Sequence, residues 1–416
     1  IFNMTLDEAT EIVASGDPKK IATIDGHFAI MARSGHIIRM ARSLQLPMRY
    51  FIVKKVAGPA LLIAERIDQI QEWLETQGFG DQFHPSYTRM VPAHHLTEIA
   101  LVGCPDPNPV CTRFFNPPRN CQNDNYAERY IQELSSGISN WLDTIPEHEP
   151  IGVLFSGGID SGAVFLATHH VMKTRGMNLA RLKAFTLTVD SCGEDAKQAH
   201  DFLAQLDLEL FHEIIDTPRN WIDLETAVKT IEDYKPLDIQ AGAMTLALCR
   251  GIREQYPDFT YLIDGDGGDE NMKDYPIEEN PELTIKSVLS NQMLYQEGWG
   301  VDAIKHSLTF SGGLSRACTR GYAPMSKYNF RGFSPFMLTN VIEIAEGIPF
   351  IALTDWDHEK LYALKGDIVG EGVEKVIGHH MPIFEKRRFQ DGAAKERAFG
   401  DAPMPYRKAF HSAFDC

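Results

Sequence analysis

The sequence predicts an α/β protein in which a doubly wound parallel sheet follows a smaller N-terminal domain of mixed or antiparallel strands. Three observations support this prediction. From residue 123 onward, apolar runs alternate with helical segments, whereas the earlier residues alternate short apolar runs with turns. The length of 416 residues also exceeds that of most single domains. We therefore predict two domains, residues 1–122 and 123–416.

The N-terminal region contains three short apolar runs that are typical of strands, residues 27–31, 48–53 and 60–64. Turn residues separate these runs, which favours an antiparallel or mixed sheet. Residues 104–125 are rich in Pro, Asn and Cys and interrupt the pattern. We expect this stretch to be the linker between the domains.

The C-terminal region repeats the order of strand and helix that a parallel sheet requires, because parallel neighbours are joined by crossovers. The continuous apolar run at residues 151–155 is typical of a buried strand, and the alternation of strands and helices implies helices on both faces of the sheet. The predicted strands are residues 151–155, 182–189, 208–215 and 259–263, and the predicted helices are residues 126–142, 162–174, 194–206 and 241–255. After about residue 280 the composition favours helices.

Composition and charge exclude several classes of protein. Hydrophobic residues make up 44% of the chain and charged residues 23%, which is typical of a globular protein with a sizeable core. A formal charge of −17 would repel nucleic acid, and no apolar run reaches the roughly 18 residues of a membrane span. Seven scattered cysteines indicate reduced thiols, and we expect a cytoplasmic protein. We expect no nucleic acid or membrane partner, and the sequence leaves a homo-oligomer open.

A loop with two glycines, SGGIDS at residues 156–161, follows the first predicted strand of the C-terminal region. Its glycines let the backbone approach a ligand, and the start of the following helix offers N–H groups to anionic oxygens. Its two serines add hydroxyl donors. Asp160 is an acid inside this anion site, which is explained if Mg²⁺ lies between its carboxylate and the phosphates. The loop therefore predicts a pyrophosphate site.

A second loop, DGDGGDE at residues 264–270, follows the last predicted strand before residue 280. Four acids and three glycines in this loop are unusual for a simple turn. Ligands of doubly wound sheets bind beyond the carboxyl ends of the strands, so the two loops should converge. We predict that Asp269 is the second carboxylate of the Mg²⁺ site, beside Asp160.

Three motifs occur in order across residues 123–392: VLFSGGIDS at 153–161, GDGGDE at 265–270, and Lys386 within EKRRFQDG at 385–392. With these motifs, the region resembles the synthetase domain of the asparagine synthetase family, which includes β-lactam synthetases and lasso-peptide cyclases. Ser334-Pro335-Phe336 is a weaker echo of the family's Val-Pro-Phe. The resemblance implies the family's ATP-pyrophosphatase fold, which is similar to that of the adenine-nucleotide α-hydrolases.

The resemblance implies an enzyme that adenylates a small carboxylate with ATP, releases pyrophosphate and transfers the acyl group to ammonia or an amine. Asp160 and Asp269 would hold Mg²⁺, and Lys386 would neutralise charge on the α-phosphate and the departing pyrophosphate. The implied catalytic residues are Lys386, Asp266 and Glu270, and the implied nucleotide-binding residues are Leu154, Ser156, Gly157, Gly158, Asp160, Ser161, Leu187 and Gly265.

Asp266 bears on the nitrogen nucleophile. β-Lactam synthetases have Tyr at this place between two glycines, whereas asparagine synthetases have a Glu close to the attacking ammonia. A carboxylate can take the proton of an attacking amine, so Asp266 favours ammonia or an amine over β-lactam closure. Gln240 replaces the family's Arg that grips aspartate, and Arg331 stands where Glu is usual, so we do not expect aspartate as the acyl substrate.

The N-terminal region faintly resembles later strands of the family's glutaminase domain, in residues 25–30, 48–50 and 64–67. Glutamine hydrolysis in that domain uses an N-terminal Cys, whereas the sequence starts with Ile1 and its first cysteine is Cys104. We expect a shortened domain without glutaminase activity, so that ammonia or an amine supplies the nitrogen.

A different class of function stays open, because related phosphate-loop enzymes that thiolate tRNA use cysteines. Cys104, Cys111 and Cys121 lie in the predicted linker, and their C-x6-C-x9-C spacing fits no common zinc motif. Isolated thiols are the simpler interpretation. An ATP-dependent sulfur transferase would lose activity when Cys111 or Cys104 is changed to Ser. A lasso-type cyclase would have a long open groove.

Overall fold

The computed structural model describes residues 1–102, 108–121, 124–274, 318–384 and 406–414, together with residues 286, 289–290, 297, 315 and 392–393. These residues form an α/β fold with one parallel sheet and two antiparallel sheets, which confirms the predicted fold class. None of the described helices combines the length and apolar character that crossing a bilayer requires.

The N-terminal residues form two small antiparallel sheets with helices beside them. The strands are β1 (Ala29–Ser34), β2 (Ile37–Arg42), β3 (Arg49–Val53), β4 (Ala60–Ala64), β5 (Arg89–Met90), β6 (His95–Ala100) and β7 (Val110–Arg113), and the helices are α1 (Leu6–Ser15), α2 (Pro18–Ile21) and α3 (Ile67–Thr76). The strand orders are β1-β2-β6-β7 and β4-β3-β5. The three predicted apolar runs correspond to β1, β3 and β4.

Part of the stretch predicted as a linker is strand β7. It pairs antiparallel with β6 and so extends the four-stranded sheet. Three of its four side chains are exposed, Val110 and Cys111 among them, so no alternation of apolar and polar residues marked it as a strand. Its backbone pairing with β6, and not an apolar face, makes it part of the sheet.

The C-terminal region contains a five-stranded sheet. Its strands are β8 (Ile151–Leu154), β9 (Leu182–Val189), β10 (His212–Thr217), β11 (Tyr261–Ile263) and β12 (Arg331–Phe333), in the order β10-β9-β8-β11-β12. All neighbouring pairs are parallel. Strands β8, β9 and β11 lie where the sequence predicted strands.

Two strands differ from the prediction. The run at residues 208–215 divides into a 3-10 turn, Glu209–Phe211, and strand β10. Leu208 and Phe211 pack into the core beside the helices, so their apolar character reflects packing and not pairing. β12 was predicted as part of a helical region, because three residues are too few to show a periodic pattern.

Helices cover both faces of the parallel sheet, as the alternation of strands and helices predicts. In β9, Leu182 and Ala184 pack into one core, and Phe185 and Leu187 pack into a second core on the other face. The helices of this region are α4 (Tyr126–Asp143), α5 (Ile159–Thr174), α6 (Asp195–Ala204), α7 (Leu224–Ile231), α8 (Pro236–Gln255), α9 (Gly268–Asn271), α10 (Ala323–Lys327), α11 (Thr339–Gly347), α12 (Phe350–Thr354), α13 (His358–Ile377) and α14 (Tyr406–Phe414).

The N-terminal residues pack against the β12 edge of the parallel sheet. The Gln45 side chain donates to the Gly332 carbonyl at 3.1 Å and accepts the Ser334 N–H at 3.2 Å, as a neighbouring strand would. A buried ion pair, in which Arg49 Nε lies 2.7 Å from Glu232 Oε2, joins β3 to the end of α7. The N-terminal residues therefore cover the β12 edge of the parallel sheet, next to the loops described below.

Candidate active site

The strand order creates a crevice between β8 and β11. The chain continues from β8 through β9 to β10 on one side, and from β11 to β12 on the other, so the order reverses between β8 and β11. In doubly wound sheets, ligands bind at such a reversal, beyond the carboxyl ends of the strands. The loops that follow β8 and β11 are the two loops that the sequence singled out.

The loop after β8 leads directly into helix α5. Gly157 has a φ of 71°, and a β-carbon there would lie 2.8 Å from the backbone of Ala199 in α6, so only glycine fits. The hydroxyls of Ser156 and Ser161 lie 3.1 Å apart, and the Gly158 N–H donates to the Ser156 hydroxyl at 3.3 Å. Gly158 caps α5 without a side chain, which leaves the first turn of the helix suited to an anionic ligand.

The loop after β11 lies directly against the first loop. A β-carbon at Gly265 would lie 2.7 Å from the backbone nitrogen of Ser161, and one at Gly268 would collide with the Asp160 carboxylate. Gly267 has a φ of 97° and turns the chain into the short helix α9. The close approach of the two loops therefore requires glycine at these positions.

We expect Gly268→Ala to force the loops apart and to lower stability, because the new methyl group would overlap the Asp160 carboxylate. Overpacking of this kind costs about 1–3 kcal/mol, which chemical denaturation would measure. Gly347→Ala is the matched control, because a β-carbon at Gly347 meets nothing within 4 Å. Equal stability of the two variants would contradict the close contact between the loops.

A lysine that the sequence motifs did not reveal lies between the two predicted metal ligands. Lys365 on α13 contacts Asp160 Oδ2 at 2.6 Å, contacts Asp269 Oδ1, and lies 3.4 Å from Asp274 Oδ2. The side chain is buried. Burial lowers the pKa of Lys365, but the three carboxylates outweigh this effect and raise the pKa well above its usual value. Lys365 is therefore an ammonium ion at the centre of the crevice.

The sequence contained one signal for Lys365. It lies four positions after Leu361 and three before Ile368, and both of these residues are buried on α13. Residues at this spacing share one face of a helix, and a charge in a buried face needs a partner. Local spacing could not identify the partners, because Asp269 and Asp160 lie 96 and 205 positions earlier.

Asp160 and Asp269 fit part of the coordination shell of a divalent cation. Both carboxylates contact the Lys365 ammonium, so both point toward the position that this cation occupies. Among the residues that the structure describes, no group of three His, Cys, Asp or Glu side chains is arranged to hold a metal ion. Mg²⁺ commonly takes one or two carboxylates and completes its shell with phosphate and water. The donor set therefore fits a Mg²⁺ that binds together with a polyphosphate.

Asp264, which is buried, and Asp266, which is partly exposed, form a pair of carboxyl groups in the second loop. Asp264 Oδ2 accepts the Ser334 hydroxyl at 3.0 Å, and its Oδ1 accepts the Asp266 N–H at 3.0 Å. Both Oδ2 atoms pack on Gly321, in the π-helical turn Cys318–Tyr322, where a β-carbon would lie 2.5 Å from Asp264 and 2.8 Å from Asp266. Burial raises the pKa of both carboxyl groups, and the charge of Asp264 raises that of Asp266 further.

The other predicted residues also lie at the carboxyl edge of the sheet or close to it. Leu154 is the last residue of β8, and Gly265 follows β11. Leu187 lies in β9, two positions beyond Phe185, the partner of Leu154. Glu270 lies in α9 and is buried. The structure thus places the predicted nucleotide-binding residues on neighbouring strand ends.

Lys386 lies outside the described residues, but the end of its motif is described. The Gly392 carbonyl accepts the Glu194 N–H at 2.8 Å, and the Ala393 carbonyl accepts the Val189 N–H at 3.1 Å. Val189 is the last residue of β9. The motif that contains Lys386 therefore ends at the carboxyl edge of the parallel sheet.

The position of Arg331 gives no support to the expectation that its side chain bears on the choice of acyl substrate. Arg331 is the first residue of β12, and its guanidinium lies 5.6 Å from the centre of the Tyr261 ring. Because the strands are parallel, Arg331 lies at the edge opposite the crevice. Gln240, the other substitution, lies on α8, and its Nε2 is 3.5 Å from the Tyr406 hydroxyl.

The cysteines of the predicted linker lie apart from the parallel sheet where they are described. Cys111 belongs to β7 of the N-terminal sheet, and its Sγ lies 3.7 Å from the Thr97 hydroxyl. Cys121 is partly exposed, and Cys104 lies outside the described residues. The placement of Cys111 gives no support to a role in the crevice.

A cavity of about 480 Å³ lies elsewhere, at the junction of the N-terminal residues with α7 and α10. Two of its charged residues, Arg49 and Arg66, form ion pairs with Glu232 and Asp68, at 2.7 and 2.8 Å. None of the predicted site residues lines this cavity. The crevice between β8 and β11 is therefore the candidate active site.

Comparison with protein-family models matches residues 146–311 to the family described as Asparagine synthase. The matched region begins just before β8 and includes both loops of the crevice. No curated protein matches the chain.

Proposed function

Residues 146–311 belong to the asparagine synthase family, whose members are ATP-dependent carbon–nitrogen ligases, and on this premise we propose a reaction for the crevice. We propose that the protein adenylates a small carboxylate with ATP, releases pyrophosphate, and transfers the acyl group to ammonia or an amine. One observation carries the proposal: an anion-binding loop and an acidic loop meet, with Asp160 and Asp269 facing a single cation position.

In the first step, a carboxylate oxygen of the substrate attacks the α-phosphorus, and pyrophosphate leaves with the electron pair of the broken bond. The loop at residues 156–161 has N–H and hydroxyl donors for the departing pyrophosphate. Mg²⁺ held by Asp160 and Asp269 would stabilise the charge on the phosphate oxygens. By its motif, Lys386 would add positive charge near the α-phosphate and the departing pyrophosphate.

In the second step, the nitrogen of the amine attacks the acyl carbon, the bond to AMP breaks, and the nitrogen loses a proton. Asp266 is the residue proposed to take this proton. Its raised pKa makes it a better proton acceptor than an ordinary carboxylate. We propose ammonia or an amine as the nitrogen source, because a carboxylate at the position of Asp266 can take the proton of an attacking amine.

We expect the protein to exchange labelled pyrophosphate into ATP when Mg²⁺ and the correct carboxylate are present. The measurement is the incorporation of label over a panel of small carboxylates, together with AMP formation when ammonium or an amine is added. Lys386→Ala should abolish the exchange. No exchange with any carboxylate, and no AMP under any condition, would contradict the proposal.

Cys111→Ser separates the amide ligase from a sulfur transferase. Cys111 is exposed on β7 and belongs to the N-terminal sheet, so we expect this variant to exchange pyrophosphate and form amide as the unchanged protein does. Loss of product with the Ser variant would instead favour sulfur transfer.

A further inference from the structure

Lys365 lies beside three carboxylates, whereas the predicted metal site contains two. Besides Asp160 and Asp269, its Nζ lies 3.4 Å from Asp274 Oδ2. Asp274 follows α9, and its N–H donates to the Asp269 carbonyl at 2.9 Å. The third carboxylate therefore belongs to the same short segment as Asp269 but lies farther from the ammonium than Asp160 does.

The backbone of Lys365 is held in place, and the end of its side chain can move. Leu361 and Ile368 anchor α13 in the main core of the parallel sheet. The lysine side chain is a flexible four-carbon stem that ends in a compact charge. A change at the crevice can therefore move the ammonium between carboxylates while the helix stays fixed.

An ammonium and a divalent cation cannot both lie between Asp160 and Asp269. Mg²⁺ lies about 2.0–2.1 Å from its oxygen ligands. The Lys365 Nζ lies 2.6 Å from Asp160 Oδ2 and also contacts Asp269. An ion bound to both carboxylates would therefore overlap the ammonium and repel its charge, so that the ammonium has to leave these two carboxylates.

We propose that Lys365 is a positioning residue that substitutes for the metal ion in the free protein. It holds Asp160 and Asp269 together until Mg²⁺ binds, and it then keeps its contact with Asp274 while the ion takes the other two carboxylates. The proposal rests on the proposed function only in naming Mg²⁺ as the ion.

If Lys365 has this role, its removal should lower the stability of the metal-free protein and raise the affinity for Mg²⁺. Without the ammonium, the carboxylates of Asp160, Asp269 and Asp274 repel one another, so the metal-free protein loses stability. Mg²⁺ then enters without a competing cation, so the ion binds more tightly. A lysine with a purely structural role would give the first consequence without the second.

The experiment measures unfolding by denaturant for the whole chain and for Lys365→Met, in EDTA and over a range of Mg²⁺ concentrations without ATP. We expect the variant to unfold at lower denaturant in EDTA, and to need about tenfold less Mg²⁺ for half of its stabilisation. Equal Mg²⁺ requirements for the two proteins would overturn the proposal. If the Met variant does not fold in EDTA, Lys365→Gln, which keeps a hydrogen-bond donor without the charge, replaces it with the same expectation.

Two further variants serve as controls. Lys273→Met removes another buried ammonium, which lies 2.6 Å from Glu346, so it should lower stability but leave the Mg²⁺ requirement unchanged. Lys365→Arg keeps the positive charge and should restore the Mg²⁺ requirement of the unchanged protein. A tenfold shift in the Lys273 variant would show that any lost lysine has this effect and would overturn the proposal.

The outcomes separate this inference from the proposed function. Absence of pyrophosphate exchange with every carboxylate would contradict adenylation, whereas the Mg²⁺ dependence of unfolding uses neither ATP nor a carboxylate. A different outcome would be pyrophosphate exchange by the unchanged protein together with equal Mg²⁺ requirements for that protein and Lys365→Met. It would support adenylation and overturn the proposed role of Lys365.

Discussion

Asp160→Asn is expected to lower carboxylate-dependent pyrophosphate exchange by about 10²–10³-fold, the range seen when one preorganised electrostatic group is lost at an active site. Asp160 lies in the first turn of α5 and faces the same cation position as Asp269. The amide is nearly the same size as the carboxylate but lacks the charge that holds a divalent cation. Initial rates of exchange at saturating ATP measure the loss.

The control for this prediction is Asp367→Asn, which makes the same chemical change at an exposed position of α13, two residues from Lys365. We expect its exchange rate to equal that of the unchanged protein. Because Asp160 also contacts Lys365, the unfolding of both variants should be measured, so that a loss of exchange is compared at equal folded fraction. Exchange by Asp160→Asn within threefold of the unchanged protein would refute the metal role of Asp160.

Asp266→Asn is expected to separate the two half-reactions. Loss of a general base typically lowers the rate of the catalysed step by about 10²–10⁴-fold. We therefore expect amide formation from ammonium or an amine to fall by this factor, while pyrophosphate exchange falls far less, because no proton leaves the nitrogen in the first step. Product formation and exchange, measured on the same protein sample, give the comparison.

The pH dependence of amide formation follows from the same residue. Asp266 accepts a proton only when it is charged, and burial and then the charge of Asp264 raise its pKa. Amide formation should therefore still increase with pH well above pH 4, where an ordinary Asp is already charged. A rate that is flat from about pH 5 upward would contradict the assignment of Asp266 as the base.

The raised pKa values of Asp264 and Asp266 also make the stability of the folded protein depend on pH. A carboxyl group that binds its proton more tightly in the folded protein contributes stability below its unfolded pKa, about 3.9 for Asp. This contribution is lost as the pH rises through the folded pKa of the pair. Asp258→Asn, at an exposed position before β11, is the control for both pH measurements, and we expect it to leave both profiles unchanged.

The local features of the fold were predictable from the sequence where the chemistry itself is local. The stretch at residues 182–189 predicted β9 with its bounds, because five of its eight side chains are apolar and only Lys183 is charged, as a strand buried on both faces requires. The glycines and acids of the two loops were likewise visible, because a close backbone approach and a charged ligand restrict residue type at adjacent positions.

Elements with weak local signals were not predictable. β12 has three residues, and β7 has mostly exposed side chains, so neither shows a periodic pattern. Both are strands because a neighbouring strand satisfies their backbone hydrogen bonds. The neighbour of β12 is β11, which is distant in the chain, whereas the neighbour of β7 is the preceding strand β6. The position of Arg331 was not predictable either, because its place at the amino end of β12 depends on the pairing with β11.

By itself, then, the sequence determined the α/β class and the two glycine-containing loops at residues 156–161 and 264–270, since each depends on residues that are neighbours in the chain. Only the tertiary structure decided which charges meet. Lys365 reaches Asp160 across 205 positions, and Asp264 and Asp266 both pack on Gly321 of a separate turn. Electrostatic contacts of this kind depend on distance in space, and that distance is set by the packing of the helices on the sheet.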